Sequence, residues 1–192
     1  MPHKLPFRLV YVTCQDEHFP ATELNHHSPA TRGWISSRFC TFPQQLVFEL
    51  QERANLRKIQ LLSHQYLIGT TVIKHYHYLI YPQLASKIEF FVGDIRDDDI
   101  RHYQNARYTR LGYVSLSDNR STEFKARELK SVHVDATGTF VQLMLHKNYA
   151  NEHNLYNQAS DFCHVTFILN HNSQNGARGH NAPGLISRLV VL

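Results

Sequence analysis

Apolar positions recur with a period of two along most of this chain, and it is this period that sets the expected architecture. In Phe7 to Val12 (FRLVYV) a short apolar run sits between prolines and polar residues, as a first strand would. Leu46, Phe48 and Leu50 alternate with Val47 and Glu49. The run LRKIQLL at 56–62 then places Arg57, Ile59 and Leu61 on one side and Lys58, Gln60 and Leu62 on the other. Ile88, Phe90 and Val92 alternate with Glu89 and Phe91, and Val141, Leu143 and Leu145 share a face opposite Gln142 and His146. Further strands are expected at 111–116, 129–136 and 163–169, with a reversal at Asp118-Asn119 and a tight hairpin at Ala136-Thr137-Gly138.

Strands this short, separated by turn-rich stretches and without intervening helices, describe an all-β antiparallel sandwich or barrel rather than a parallel sheet. One helix is expected at Ile100 to Tyr108, with the preceding Asp97, Asp98 and Asp99 satisfying its free amide donors. The long connection from Thr13 to Pro43 needs aromatic anchors, and Trp34 and Phe39 are the expected plugs. The stretch after Leu169 is polar and turn-rich. It reads as a disordered tail over 170–192, and its apolar end LISRLVVL has no obvious partner.

Composition narrows the class. A hydrophobic share of 42% against 19% charged residues is that of a globular chain, and 192 residues suit one domain with a self-sufficient core. No apolar run approaches the roughly 18 residues a membrane helix needs, so no membrane insertion is expected. The N-terminal stretch reads as a strand of a cytosolic protein, because it lacks a small-residue cleavage site. Three cysteines, Cys14, Cys40 and Cys163, show no paired spacing and suit a reducing compartment.

A net charge of +4 gives only modest attraction for anions. The most basic aromatic stretch, HYQNARYTRLGY, follows directly on three aspartates, so no nucleic-acid surface is expected. No phosphate-binding loop, dinucleotide fingerprint, zinc-protease or serine-hydrolase motif occurs, and the chain reads as non-enzymatic without a cofactor. His75 and His77 could face one metal ion from a strand, but no carboxylate or cysteine nearby completes a tetrahedral set. A metal-dependent hydrolase would require such a set. The aspartate trio lacks the alternating spacing of a calcium loop. Trp34 could stack on a sugar face, though its place beside a strand favours an anchoring role. Around Ala126 to Lys130, charged residues of both signs suit an edge strand protected from aggregation; Arg127 and Lys130 could alternatively contact an acidic partner.

Several stretches taken in order resemble one family. They are GWISSRFCTFPQQLVFEL (33–50), IQLLSHQYLI (59–68), SKIEFFVGD (86–94), LGYVSLSDN (111–119), KARELKSVHVDATGTFVQL (125–143) and NLYNQ (154–158). Together they resemble the N-terminal jelly-roll domain family of the centrosomal protein of 104 kDa, over most of residues 1–158. The resemblance implies a β-sandwich of the galactose-binding, discoidin-like type, spanning 1–169. It also implies a non-enzymatic protein-interaction role at the centriole and ciliary tip, within the cytoplasm and cytoskeleton. Partners would be centriolar or ciliary-tip proteins, with any tubulin association arising from domains outside these residues. A glycan- or small-ligand-binding sandwich is the alternative. Positions matching the family pattern, as scaffold or contacts, are Trp34, His64, Gln65, Tyr66, Lys87, Glu89, Tyr113, Arg127, Glu128, Lys130, Asn157 and Gln158.

Two departures stand out. Residues 71–85, TVIKHYHYLIYPQLA, interrupt the family pattern as an apolar, aromatic insert that must pack or pair. After NLYNQ the pattern is lost, and Cys163, Val165, Phe167 and Leu169 are the residues able to present a closing strand.

Overall fold

A computed structural model describes residues 3–26, 31, 33–63, 86–96, 99–116, 128–147, 158, 162–169 and 190–191. Its strands are β1 (His3–Lys4), β2 (Phe7–Val12), β3 (Gln44–Ser63), β4 (Lys87–Asp94), β5 (Arg107–Ser115), β6 (Glu128–Leu145), β7 (Phe162–Leu169) and β8 (Val190–Val191), with a short 3-10 helix at Ala21–Asn25. Every strand pairing is antiparallel.

The two longest strands build both layers. The first half of β3 lies between β2 and the end of β6, which continues to β4 and then β5. Its second half lies between β7 and the beginning of β6, with β1 beyond β7 and β8 beside β6. Between these halves the β3–β6 register is interrupted from Glu49 to Ala54, where the sheet folds over. The alternating apolar residues of each half then face one another. Phe48 of the first layer meets Phe167 of the second, ring centroids 5.6 Å apart. Phe7 sits edge-on to both at 5.5 and 5.0 Å. Such edge-to-face contacts add to the gain from burying the rings.

Several expected features are confirmed in detail. Ile88, Phe90 and Val92 are buried, as are Val141, Leu143 and Leu145, and β7 does insert Val165 and Phe167 into the core. Trp34 is fully enclosed, its indole N–H donating to the Cys14 carbonyl at 3.0 Å, so it anchors the long connection as expected.

Other expectations are corrected. There is no hairpin at Ala136-Thr137-Gly138, because Ala136, Thr137 and Gly138 stay paired to Leu56, Asn55 and Ala54 and β6 runs through. The turn-forming residues bend the strand there rather than reversing it. A Cβ on Gly138 would lie 2.5 Å from Val92 Cγ2 and 2.6 Å from the Gly93 carbonyl oxygen, so the glycine is needed for close approach to β4. Similarly, 46–50 and 56–62 are parts of one strand. An irregularity between Leu56 and Lys58 leaves Arg57 exposed while Ile59 and Leu61 are buried.

The helix at Ile100 to Tyr108 does not form. Arg101 is drawn to Glu49, Tyr103 stacks on Tyr11 at 5.2 Å, and the chain turns through Tyr103–Asn105 into β5. These contacts to the sheet replace helical ones. Phe39 is not a plug; it is 69% exposed, at a φ of 56°. Finally, Val190 and Val191 of the closing apolar segment do have a partner, pairing with His133 and Val132 of β6. The reversal at Asp118-Asn119, the aspartates 97 and 98, and the insert lie outside the described residues.

Candidate interaction surface

Because Ile88 and Phe90 point into the core, Glu89 must point out of the first layer. Its cross-strand neighbours are Met144 on β6 and Tyr113 on β5. Lys87, two residues earlier and on the same face, brings Nζ to 2.9 Å from Glu89 Oε1. Arg110 donates to that same oxygen through Nη2 at 2.7 Å and Nε at 3.2 Å. His146 Nε2 lies 2.9 Å from the second oxygen, Oε2. Tyr113 stands beside this group, half exposed, with the Lys87 ammonium 5.0 Å and the Arg110 guanidinium 5.9 Å from its ring centroid.

The bond from Lys87 is the main cause of a strongly lowered Glu89 pKa, from 4.5 to about 2. Partial desolvation opposes the shift, while His146 and Arg110 reinforce it. A carboxyl depressed in the folded state contributes stability in full above its unfolded value, and loses it as pH falls towards the folded one. Glu89→Gln is therefore expected to destabilise the chain above pH 4.5 and to lose that deficit progressively towards about pH 2. Urea unfolding of both proteins across this range checks it; a gap that does not change with pH would contradict the assignment.

Chemically, one carboxylate fixes two permanent cations and an imidazole around a half-exposed phenol ring. The surplus is positive and the cations are held in place, an arrangement suited to receiving an acidic side chain with an apolar or aromatic neighbour. Among the described residues, no group of three or more His, Cys, Asp and Glu side chains is disposed to hold a metal ion.

Of the residues matched to the family pattern, Lys87, Glu89 and Tyr113 thus meet in one cluster. Glu128 and Lys130 lie elsewhere, at the end of the second layer, where they form an ion pair of 2.6 Å. Gln158 is buried, its amide donating to the Ser36 carbonyl at 2.9 Å and tying the chain to the Trp34 loop. Enclosure of Trp34 removes it as a platform for a sugar face. His64, Gln65, Tyr66, Arg127 and Asn157 lie outside the described residues, as do His75 and His77.

Sequence reasoning missed Arg110 and His146 as members of the cluster. Counting by twos puts Arg110 and Tyr113 on opposite faces. An extra residue in β5, Leu111, restores them to the same side, so that Tyr113 opposes Glu89 and Arg110 opposes Phe91. The available signal for His146 was its parity with Met144 one strand away.

Residues 33–79 and 75–168 match the family described as Centrosomal protein CEP104, N-terminal domain. The chain belongs to this family. The two matched stretches overlap at residues 75–79. The human Centrosomal protein of 104 kDa is 45% identical over 160 residues, covering 83% of this chain and 16% of that protein; its mouse counterpart is 44% identical with the same coverage. The chain therefore spans about one sixth of the length of these relatives.

Among solved structures, a family 32 carbohydrate-binding module from C. perfringens NanJ in complex with galactose superposes with a TM-score of 0.59 at 11% identity, covering 88% of this chain and 99% of the module. Reduced XRCC1 bound to the DNA polymerase β catalytic domain superposes with a TM-score of 0.56, also at 11% identity, with 88% and 99% covered. The fold is the expected jelly-roll sandwich of galactose-binding type.

Proposed function

We propose that this chain is a non-catalytic interaction domain that contributes protein contacts to a centriolar and ciliary-tip assembly, and that an acidic segment of its partner docks on the Lys87–Arg110–Tyr113 surface. Membership of the centrosomal family supports the cellular setting. The observation carrying the contact face is Tyr113, half exposed between two cations that share one carboxylate. Glu89 holds both cations in position before a partner arrives, so less side-chain freedom is lost on binding. The rim charges steer association, and the aromatic ring supplies the larger share of affinity. Any tubulin association would fall to regions outside this chain.

The test compares the wild-type chain with Arg110→Glu/Tyr113→Ala, each immobilised and exposed to a centrosome-enriched extract. Arg110→Glu removes the bonds of Arg110 to Glu89, so a somewhat lower melting temperature is expected, and the comparison is made at a temperature where both chains are fully folded. Proteins retained by the wild type should be lost from the variant, and for a purified member of that set Kd should rise at least about thirty-fold, as loss of a central aromatic plus a reversed charge implies. An unchanged retained set, with both chains folded, would contradict the contact face.

A further inference from the structure

A second charged group on the outer side of the first layer has a different shape, because it divides a groove. Two adjoining clefts, of about 340 and 410 Å³, share Arg8, Glu49 and Arg101. Beyond those three, one cleft is bounded by Leu9, Val10, His102, Tyr103 and Phe140, and the other by Pro6, Phe7, Leu50 and Gln51. The ion group is thus a ridge between two hollows, one mostly apolar and one of mixed lining in which Val10 and Phe140 stand beside His102 and Tyr103.

Its construction follows from the strand pattern. Phe48 and Leu50 turn inward, so Glu49 faces out, directly opposite Arg8 of β2. Glu49 is nevertheless only 8% exposed. Arg8 Nε and Nη2 each approach Oε2 at 2.8 Å, and Arg101, reaching over from the β4–β5 connection, donates its Nε to Oε1 at 2.7 Å. Arg101 also uses Nη2 to bond the carbonyls of Leu50 and Gln51, which straps the connection to the sheet. The Arg8 side chain stays 73% exposed and that of Arg101 47% exposed. Among the described residues, neither Nη1 has an acceptor.

Charge and spacing then select the ligand. Two guanidiniums against one carboxylate leave a single surplus positive charge. One carboxylate neutralises it, whereas a phosphate dianion would leave net negative charge beside Glu49. In an extended segment, side chains two positions apart lie on the same side, roughly 6.6 Å from one another. An acidic residue seated on the ridge would therefore place the residues two before and two after it over the two hollows. The geometry points to a groove for an extended protein segment that carries an acidic side chain with apolar residues two positions away on either side. This groove uses none of the residues of the Glu89 surface and stands independently of the function proposed for it.

The test titrates the 15N-labelled 192-residue chain with the capped peptide Leu-Ser-Glu-Ser-Leu, and with versions carrying glutamine or phosphoserine at the centre. Saturable shifts are expected at Arg8, Leu9, Leu50 and Arg101 to Tyr103, with the glutamine peptide about ten-fold weaker, as loss of a charge-assisted bond implies. The phosphoserine peptide should also bind more weakly than the glutamate one. Arg8→Gln should weaken the glutamate peptide by about the same factor while leaving distant resonances unchanged and the chain cooperatively folded. Absence of shifts at these residues, equal affinity for the glutamate and glutamine peptides, wild-type affinity in Arg8→Gln, or tighter binding of the phosphoserine peptide would each overturn the assignment.

Discussion

Removal of residues 162–169 is expected to abolish the cooperative thermal unfolding of the chain. β7 is paired to β1 on one side and to β3 on the other, so its loss exposes the edge of β3 from Leu56 to Ser63 inside the second layer. It also withdraws Val165 and Phe167, both fully buried, and leaves Phe7 and Phe48 without the third ring of their cluster. Deleting large buried side chains costs about 2–5 kcal/mol each, and whole domains are stable by only about 5–15 kcal/mol. The loss of two such side chains together with a doubly paired strand is comparable to the whole of that stability. Calorimetry of the full chain and the deletion should show one sharp transition and none, respectively. Equal transitions would mean that the second layer closes without β7.

Gly138→Val is expected to cost about 3 kcal/mol or more, at the upper end for forcing atoms into a packed site. The obstruction is partly backbone, the carbonyl of Gly93, and backbone in a central sheet cannot swing aside as a side-chain tip can. Gly93 offers a graded comparison. There an added Cβ would meet the Tyr108 ring at 2.7 Å, and that ring belongs to a residue at the start of an edge strand. Gly93→Ala should therefore cost less than Gly138→Val in urea titrations. Tyr108 itself is seated by burial, which raises its pKa to about 12, and its hydroxyl donates to the Tyr103 carbonyl at 3.1 Å. A Gly138→Val variant within about 0.5 kcal/mol of wild type, the range of ordinary surface changes, would show that β4 and β6 can separate at no cost.

Where a strand is regular and one face is buried, the alternation in the sequence was a sufficient guide. Ile88, Phe90 and Val92, and likewise Val141, Leu143 and Leu145, fall on the core side as counting by twos requires. Information was lost where pairing with a distant strand overrides local chemistry. Ala136-Thr137-Gly138 has the composition of a hairpin, and only its pairing with residues 54–56 makes it a bend within one long strand. Ile100 to Tyr108 has helical spacing, yet Arg101 and Tyr103 gain more from Glu49 and Tyr11 than from a helix.

The same holds for the candidate surface. Lys87, Glu89 and Tyr113 were legible because they sit on strands that the family pattern marks, and their convergence follows from strand pairing. Arg110 was hidden by the bulge at Leu111, which breaks the parity that sequence counting relies on. The Arg8–Glu49–Arg101 group was hidden for a different reason. Its members come from an edge strand, a central strand and a connecting loop, separated by 41 and 52 positions along the chain, and nothing in any one segment announces the other two.

The claim on which the functional reading turns is that the exterior around Tyr113 does the recruiting. Fluorescently tagged chain expressed in ciliated cells, wild type beside Arg110→Glu/Tyr113→Ala, tests this most directly. Enrichment of the wild type at centrioles and the ciliary tip, with the folded variant spread evenly through the cytoplasm, is the expected result. A variant that concentrates at those structures as strongly as the wild type would contradict it.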